Sequence, residues 1–331
     1  MTSALLVDSL IRSLLVGSLY ALMALGLTLT FAVVRLPNFA HAELITVGAY
    51  AALVTSLNIS ANPVVVLGLS GVAGALVAWI GHRTVFRPLA KHTDGHTTGN
   101  MYSLILASFA LGLILRYIIF VIVDRFDYFD KRIAVPLEVW VQNGPVTLTN
   151  VFFWVIPTAL LLVIGLSLLL NYTNLGREMR ALADNHTLAR IIGVPVDRVH
   201  DLTWLLAGGM AGVAGGLWGL YTFVNPLVGW LAILSVFAAT VLGGMSSFTG
   251  TILGAYVVGF SENTVMQALN SYLGLDFSFK PAIPFIIIVL VLLFRPQGFT
   301  ELGESLGKLR PQPQINRQTA VPTRPDQGGT P

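Results

Sequence analysis

Two long apolar runs, Val151–Leu170 and Leu202–Val224, enclose a short charged stretch, and this arrangement narrows what the chain can fold into. At about 1.5 Å of helix rise per residue, each run is long enough to cross a hydrocarbon core of about 30 Å. The stretch between them, Asn174–His200, reads NLGREMRALADNHTLARIIGVPVDRVH and must lie in water. Its excess of arginine over acid places that water on the cytoplasmic side. Composition points the same way. The chain is 55% hydrophobic and only 11% charged, whereas soluble globular domains carry about 25% charged residues.

The topology is counted outward from this island. Met1–Arg12 reads as a mixed lead-in and Leu14–Val34 as the first span, an uncleaved signal anchor with Arg35 at its inner end. A second span follows Pro37 and Asn38 and runs to about Leu57; Val64–Ile80 is the third and Tyr102–Val123 the fourth. His82–Asn100 carries Arg83, Arg87 and Lys91 against Asp94 and is expected to be a second cytoplasmic loop. Asp124–Asn150 has no positive excess and fits the outer side. Beyond Val224, Leu231–Leu242 is short, Thr249–Val265 follows a glycine-rich break, and Ile283–Phe294 is the last span. The expectation is an all-α polytopic membrane protein with about nine crossings. Eight to ten remain open, because the count between Gly229 and Phe294 is ambiguous. Residues 1–297 form the membrane domain, and 298–331, rich in Pro, Gln, Thr and Gly, are expected to be disordered.

The net charge of +3 is concentrated in a few loops, so it reports orientation and not nucleic-acid binding. The absence of cysteine excludes disulfides and thiolate chemistry. No metal site is expected: His92, Asp94 and His96 fall in a charged loop. Gly303–Lys308 resembles a phosphate-binding loop, but it is one residue short and Leu309 replaces the required hydroxyl residue. The chain therefore supplies no nucleotide site of its own.

Within the island the spacing predicts two short helices, about Gly176–Ala183 and Thr187–Ile192, with Asp184 or Asn185 capping the second and Gly193 at the C′ position. Met179, Leu182, Leu188, Ile191 and Ile192 recur at helical spacing. Such faces need a surface to cover them, either the membrane interface or a partner protein; the plainer reading is a solvated loop. Asn38, His41 and Glu43 form the densest polar cluster in the second span. They read as a polar wall or gate of a translocation path, or as a helix cap with Glu43 favoured by the dipole; the two are compatible. Gly208, Gly212 and Gly216 repeat at i+4 and read as helix packing. Gly243 and Gly244 mark a break whose backbone is expected to face the path. Glu262, Asn263 and Arg116 lie within apolar stretches, and their partners are not legible from one sequence.

At this point GREMRALADNHTLARIIGVPVDRV resembles the cytoplasmic coupling loop of permease subunits of branched-chain amino-acid ABC importers. LPNFAHAELITVGAY is similar to the segment after the first span in the same family, where Ala42 stands at a position that is commonly glycine. GSLYALMALGLTLTF upstream and AGGMAGVAGGLWG downstream keep the same order, and the resemblance covers about Leu15 to Gln297. It implies a homologous second permease, two cytoplasmic ATPases that bind ATP and Mg, and a periplasmic or lipid-anchored binding protein. No cofactor is then held by this chain, and no covalent chemistry is done by it. Arg177, Arg180, Ala183, Asp184, Arg190 and Gly193 are the implied coupling residues. The substrates implied are branched-chain amino acids, or other amino acids, short amides or urea. The rival expectation, an ion-coupled secondary transporter, would need intramembrane carboxylates, for which Glu43 and Glu262 are the candidates.

Overall fold

The computed structural model describes residues 3–92, 98–136, 138–143, 146–294, 298 and 299. The phosphate-loop-like segment, Asp94, His96 and the tail beyond Phe299 lie outside the described residues.

The first helix, α1 (Ser3–Val34), is the axis of the bundle. Its membrane-crossing window is 89% buried, against 6% for that of the last apolar stretch, Phe277–Phe294. It also begins earlier than the apolar pattern suggests. The mixed lead-in is helical because its polar groups are satisfied along the helix: Arg12 pairs with Asp8 at 2.7 Å, and the Ser9 and Ser13 hydroxyls donate to the Leu6 and Ser9 carbonyls. At about 1.5 Å per residue the helix is about 48 Å long, so one end extends past a hydrocarbon core of about 30 Å.

The next helices are α2 (His41–Asn58) and α3 (Pro63–Gly81), the latter capped by Asn62, whose side chain accepts from the Val64 amide. The helix does not stop at His82, where a loop is expected. It continues through a π-turn, His82–Phe86, into α4 (Arg87–His92). The physical reason lies on the facing helix α9 (Val196–Tyr221), where Asp201 and Asp197 take Arg83 and Arg87, and Trp204 stacks on His82 and Phe86. Helix α9 itself starts within the charged island, at Val196.

Small residues let α9 approach its neighbours closely. Gly208 packs on the Gly74 carbonyl and the Ala78 methyl, Gly212 on Ser70 and Gly48, Gly215 on the Ile45 carbonyl, and Gly216 on the Ser70 hydroxyl. In lipid there is little hydrophobic force between helices, so van der Waals contact at short range has to hold them together.

The rest of the bundle comprises α5 (Thr98–Phe126), α6 (Val151–Tyr172), α7 (Asn174–Asp184), α8 (His186–Ile191), α10 (Val228–Gly243), α11 (Phe248–Phe260), α12 (Met266–Leu273) and α13 (Ala282–Phe294). Six helical stretches are long and apolar enough to cross a membrane. Helix α10 is a shorter apolar helix, and α11 continues into α12 through a second π-turn at Ser261–Val265; the whole is a multi-pass, all-α membrane protein. One departure from all-α character among the described residues is a hairpin between α5 and α6. Strands β1 (Val139–Asn143) and β2 (Val146–Thr149) pair antiparallel, with Val139 opposite Thr149 and Asn143 opposite Val146.

Candidate functional site

Three places carry the polar chemistry: the charged island, the start of α2, and a cavity beside Glu262. In the island, the Thr173 hydroxyl caps α7 by accepting from the Gly176 amide, and Asn185 caps α8 by accepting from the Leu188 amide at 2.9 Å. Of the two caps expected for the second helix, the structure uses Asn185. Gly193 has φ +89° and closes α8: its amide donates to the Arg190 carbonyl, and the Val194 amide donates to the Ala189 carbonyl. That pair of bonds is a Schellman motif, and it needs a left-handed residue that only glycine adopts without strain.

The apolar residues of the island divide between two faces. Met179, Leu182 and Ala189 are buried against the bundle, whereas Leu188, Ile191 and Ile192 are exposed. The arginines divide as well. Arg180 donates to the Leu170 carbonyl at the end of α6, Arg177 is bonded to Asn174 of its own helix, and Arg35 reaches back to the Ala183 carbonyl. Arg190 and Asp184 are exposed and enter no ion pair among the described residues. The exposed apolar surface of the island is therefore on α8 and the residue after it, while α7 buries its apolar face against the bundle and turns its charged face outward.

At the start of α2, Asn38, His41 and Glu43 are all fully buried. Asn38, expected as the N-cap, lies in the turn before α2, where it accepts from the Ala40 amide at 3.1 Å; the cap position is Ala40, and no side chain caps the helix. His41 Nε2 lies 2.8 Å from the Met23 carbonyl, and the ring packs over Gly26 of α1. Glu43 Oε1 accepts from Arg116 Nη2 at 2.6 Å and from Nε at 2.9 Å, and the guanidinium stacks 4.1 Å above the Trp230 ring. Phe39 stacks on Phe237 with centroids 5.0 Å apart. Ala42, at the position expected to be glycine, still meets a close neighbour. Its carbonyl packs on Gly229, so the missing side chain is supplied by α10 instead.

Gly243 and Gly244 sit in a closely packed corner at the end of α10. Gly243 packs on the backbone of Gly250 and Thr251. Gly244, with φ +85°, turns the chain, and Gly298 and the Phe299 amide cover the end of α10, the latter donating to the Leu242 carbonyl at 3.0 Å.

A cavity of about 670 Å³ opens between α1, α9, α10, the second π-turn and the loop before α13. Tyr20, Trp218, Ser235, Glu262 and Lys280 line it, with Asp130 from the segment after α5 and Asn225 from the loop between α9 and α10. Glu262 is buried; its carboxylate accepts from the Tyr20 hydroxyl at 2.7 Å and from the Ser235 hydroxyl at 2.5 Å. Lys280 donates to Asn263 Oδ1 at 3.0 Å. Of these residues only Glu262 and Asn263 stand out in the sequence. Tyr20, Ser235 and Trp218 carry no signal there, because an isolated hydroxyl or aromatic in an apolar run is ordinary. Asn38, His41 and Glu43 are absent from this lining.

With this geometry in hand, the comparisons with known proteins are specific. The family described as "Branched-chain amino acid transport system / permease component" matches residues 9–294. The probable branched-chain amino-acid transport permease LivH of Methanocaldococcus jannaschii is 32% identical over 87% of this chain and 90% of its own length. LivH of Escherichia coli strain K12, a high-affinity branched-chain amino-acid transport system permease, is 29% identical over 85% of this chain and 91% of its own. BraD of Pseudomonas aeruginosa, named for the same transport role, is 26% identical over 88% and 94%.

Proposed function

The chain belongs to the family of permease components of branched-chain amino-acid transport systems, and from that premise we propose that it forms half of the membrane pathway of a binding-protein-dependent ABC importer. A homologous permease completes the pathway. Two cytoplasmic ATPases, which hold the ATP and Mg, dock on the inner face, and a periplasmic or lipid-anchored binding protein delivers a branched-chain or related amino acid outside. The ion-coupled alternative finds no support in the family match, and one of its two candidate carboxylates, Glu43, is already engaged by Arg116.

The observation that carries the reading is the exposed apolar surface of α8. Leu188, Ile191 and Ile192 project from a capped, rigid turn that is anchored through α7. Helix α8 leads through the Schellman turn directly into α9, which is tied to the first π-turn and α4 by Arg83–Asp201 and Arg87–Asp197. A push on α8 is thus transmitted to the helix that packs most closely on α2 and α3 and that reaches the cavity through Trp218. Alternating access requires a coupled movement of this kind.

The test is co-purification from detergent, with mass spectrometry of the captured proteins. Wild type is expected to bring two ATPases and a second permease. Ile191→Asp should lose the ATPases and retain the permease, and Arg180→Glu with Arg190→Glu should weaken them. Capture of the chain alone, active in proteoliposomes without ATP, would sink the proposal.

A further inference from the structure

We propose that the cavity beside Glu262 is a binding site for the amino acid in transit, an inference that rests on the importer reading above. In it Glu262 receives the substrate ammonium, Lys280 receives the carboxylate, and Trp218, Leu231 and Pro284 hold the branched side chain.

Glu262 is 4% exposed, and its only direct side-chain partners among the described residues are two neutral hydroxyls. Those hydroxyls orient the carboxylate and bring no positive charge. Unlike Glu43, it enters no ion pair among the described residues. Lys280 acts on it through space from the same cavity but makes no ion pair with it; a carboxylate removed from bulk water without a direct cationic partner is costly, and a ligand ammonium supplies that partner. Each carboxylate oxygen can accept more than one hydrogen bond, so acceptor capacity remains after Tyr20 and Ser235 are satisfied.

Lys280 lines the same cavity and is held by Asn263 through one bond, which leaves donors of its ammonium for a ligand. Buried Glu262 and half-buried Lys280 face one largely apolar chamber, to which the exposed Asp130 adds a second carboxylate, and the pair matches a zwitterion with a hydrocarbon side chain. It matches neither a sugar nor a simple anion. The volume of about 670 Å³ falls within the range of about 300–1,000 Å³ typical of small-molecule sites. Glu262 and Asn263 both lie in the π-turn Ser261–Val265, a wide turn of a kind often found at functional positions. Tyr20 stacks on Trp218 with centroids 5.9 Å apart, so the hydroxyl that orients Glu262 and the apolar wall are set by the same contact.

The test uses the whole importer, both permeases and both ATPases, in proteoliposomes without the binding protein, so that only the membrane site is read. The probe is a diazirine analogue of leucine, cross-linked by light and mapped by mass spectrometry. Labels are expected on peptides containing Trp218 and Leu231. Excess leucine should suppress them; 4-methylpentanoate, which lacks the amine, and 3-methylbutylamine, which lacks the carboxylate, should not. Glu262→Gln should reduce cavity labelling at least about tenfold, the loss of one hydrogen bond to a charged group, with the ATPases still co-purifying. Leu231→Trp, which fills the wall and leaves both charges, should reduce it as well. Labelling elsewhere, or equal labelling in both variants, overturns the site. ATP-driven leucine uptake with the binding protein is measured on the same wild-type vesicles. Uptake without cavity labelling overturns this inference alone, and absence of ATP-driven uptake overturns the importer reading with it.

Discussion

Glu43 of α2 meets the guanidinium of Arg116 at 2.6 Å, whereas Glu262 meets the hydroxyls of Tyr20 and Ser235 and a cavity. Both carboxylates are buried in the bundle. The first is compensated from within: Arg116 is clamped between Glu43 and the face of Trp230, and it joins α2, α5 and α10. The second is held by two neutral hydroxyls, with Lys280 acting on it only through space. A buried acid with an internal cation is part of the framework. One held by neutral donors at the edge of an open volume is available to a ligand. The comparison thus separates two roles that a polar residue in a membrane helix can have, although cost alone makes both look functional.

The strongest way to break the comparison is Arg116→Leu. It strands a buried carboxylate, at a cost of about 3–5 kcal/mol, and the amount of folded protein extracted from membranes should fall sharply. Adding Glu43→Leu should recover most of it; no recovery would mean that Arg116 acts through Trp230 and not through Glu43. Glu262→Gln should behave in the opposite way. Its thermal unfolding in detergent should stay close to wild type, while leucine uptake by the assembled complex falls at least about tenfold. A large loss of stability instead would place Glu262 with Glu43 in the framework.

Two smaller changes sharpen the division. Gly212→Val forces a side chain into Ser70 and Gly48 and should cost about 1–3 kcal/mol by overpacking, read as earlier thermal unfolding, because α9 holds α2 and its Glu43 on that side. Tyr20→Phe removes one hydroxyl from Glu262 and should change stability by about 0.5–1.5 kcal/mol, with a few-fold loss of uptake. If Tyr20→Phe proves as damaging as Arg116→Leu in the unfolding measurement, the Glu262 cluster is structural after all.

The charged island shows how far local pattern reaches. The two short helices, the Asn185 cap and the Gly193 turn are all legible in NLGREMRALADNHTLARIIG, because caps and helical faces depend on residues three or four apart. The same stretch could not show that Arg180 is committed to the Leu170 carbonyl, or that only the α8 half of the apolar face is free. The lead-in to α1 and the continuation of α3 past His82 were hidden for a related reason. Each is stabilised by ion pairs that hydropathy counts only as polarity.

By itself the sequence determined that the chain is a bundle of membrane helices, and where the two short helices of the charged island begin and end to within a residue or two. These follow from span length and capping, which are properties of contiguous residues. The tertiary structure alone decided that Glu43 pairs with Arg116, 73 positions away, that Tyr20 and Glu262 meet across 242 positions, and that the cavity opens beside the second carboxylate. Such meetings depend on how each helix is rotated and how closely it approaches its neighbours. In this bundle that is set by glycine contacts such as Gly48 on Gly212 and Gly229 on Ala42, between segments far apart in the chain.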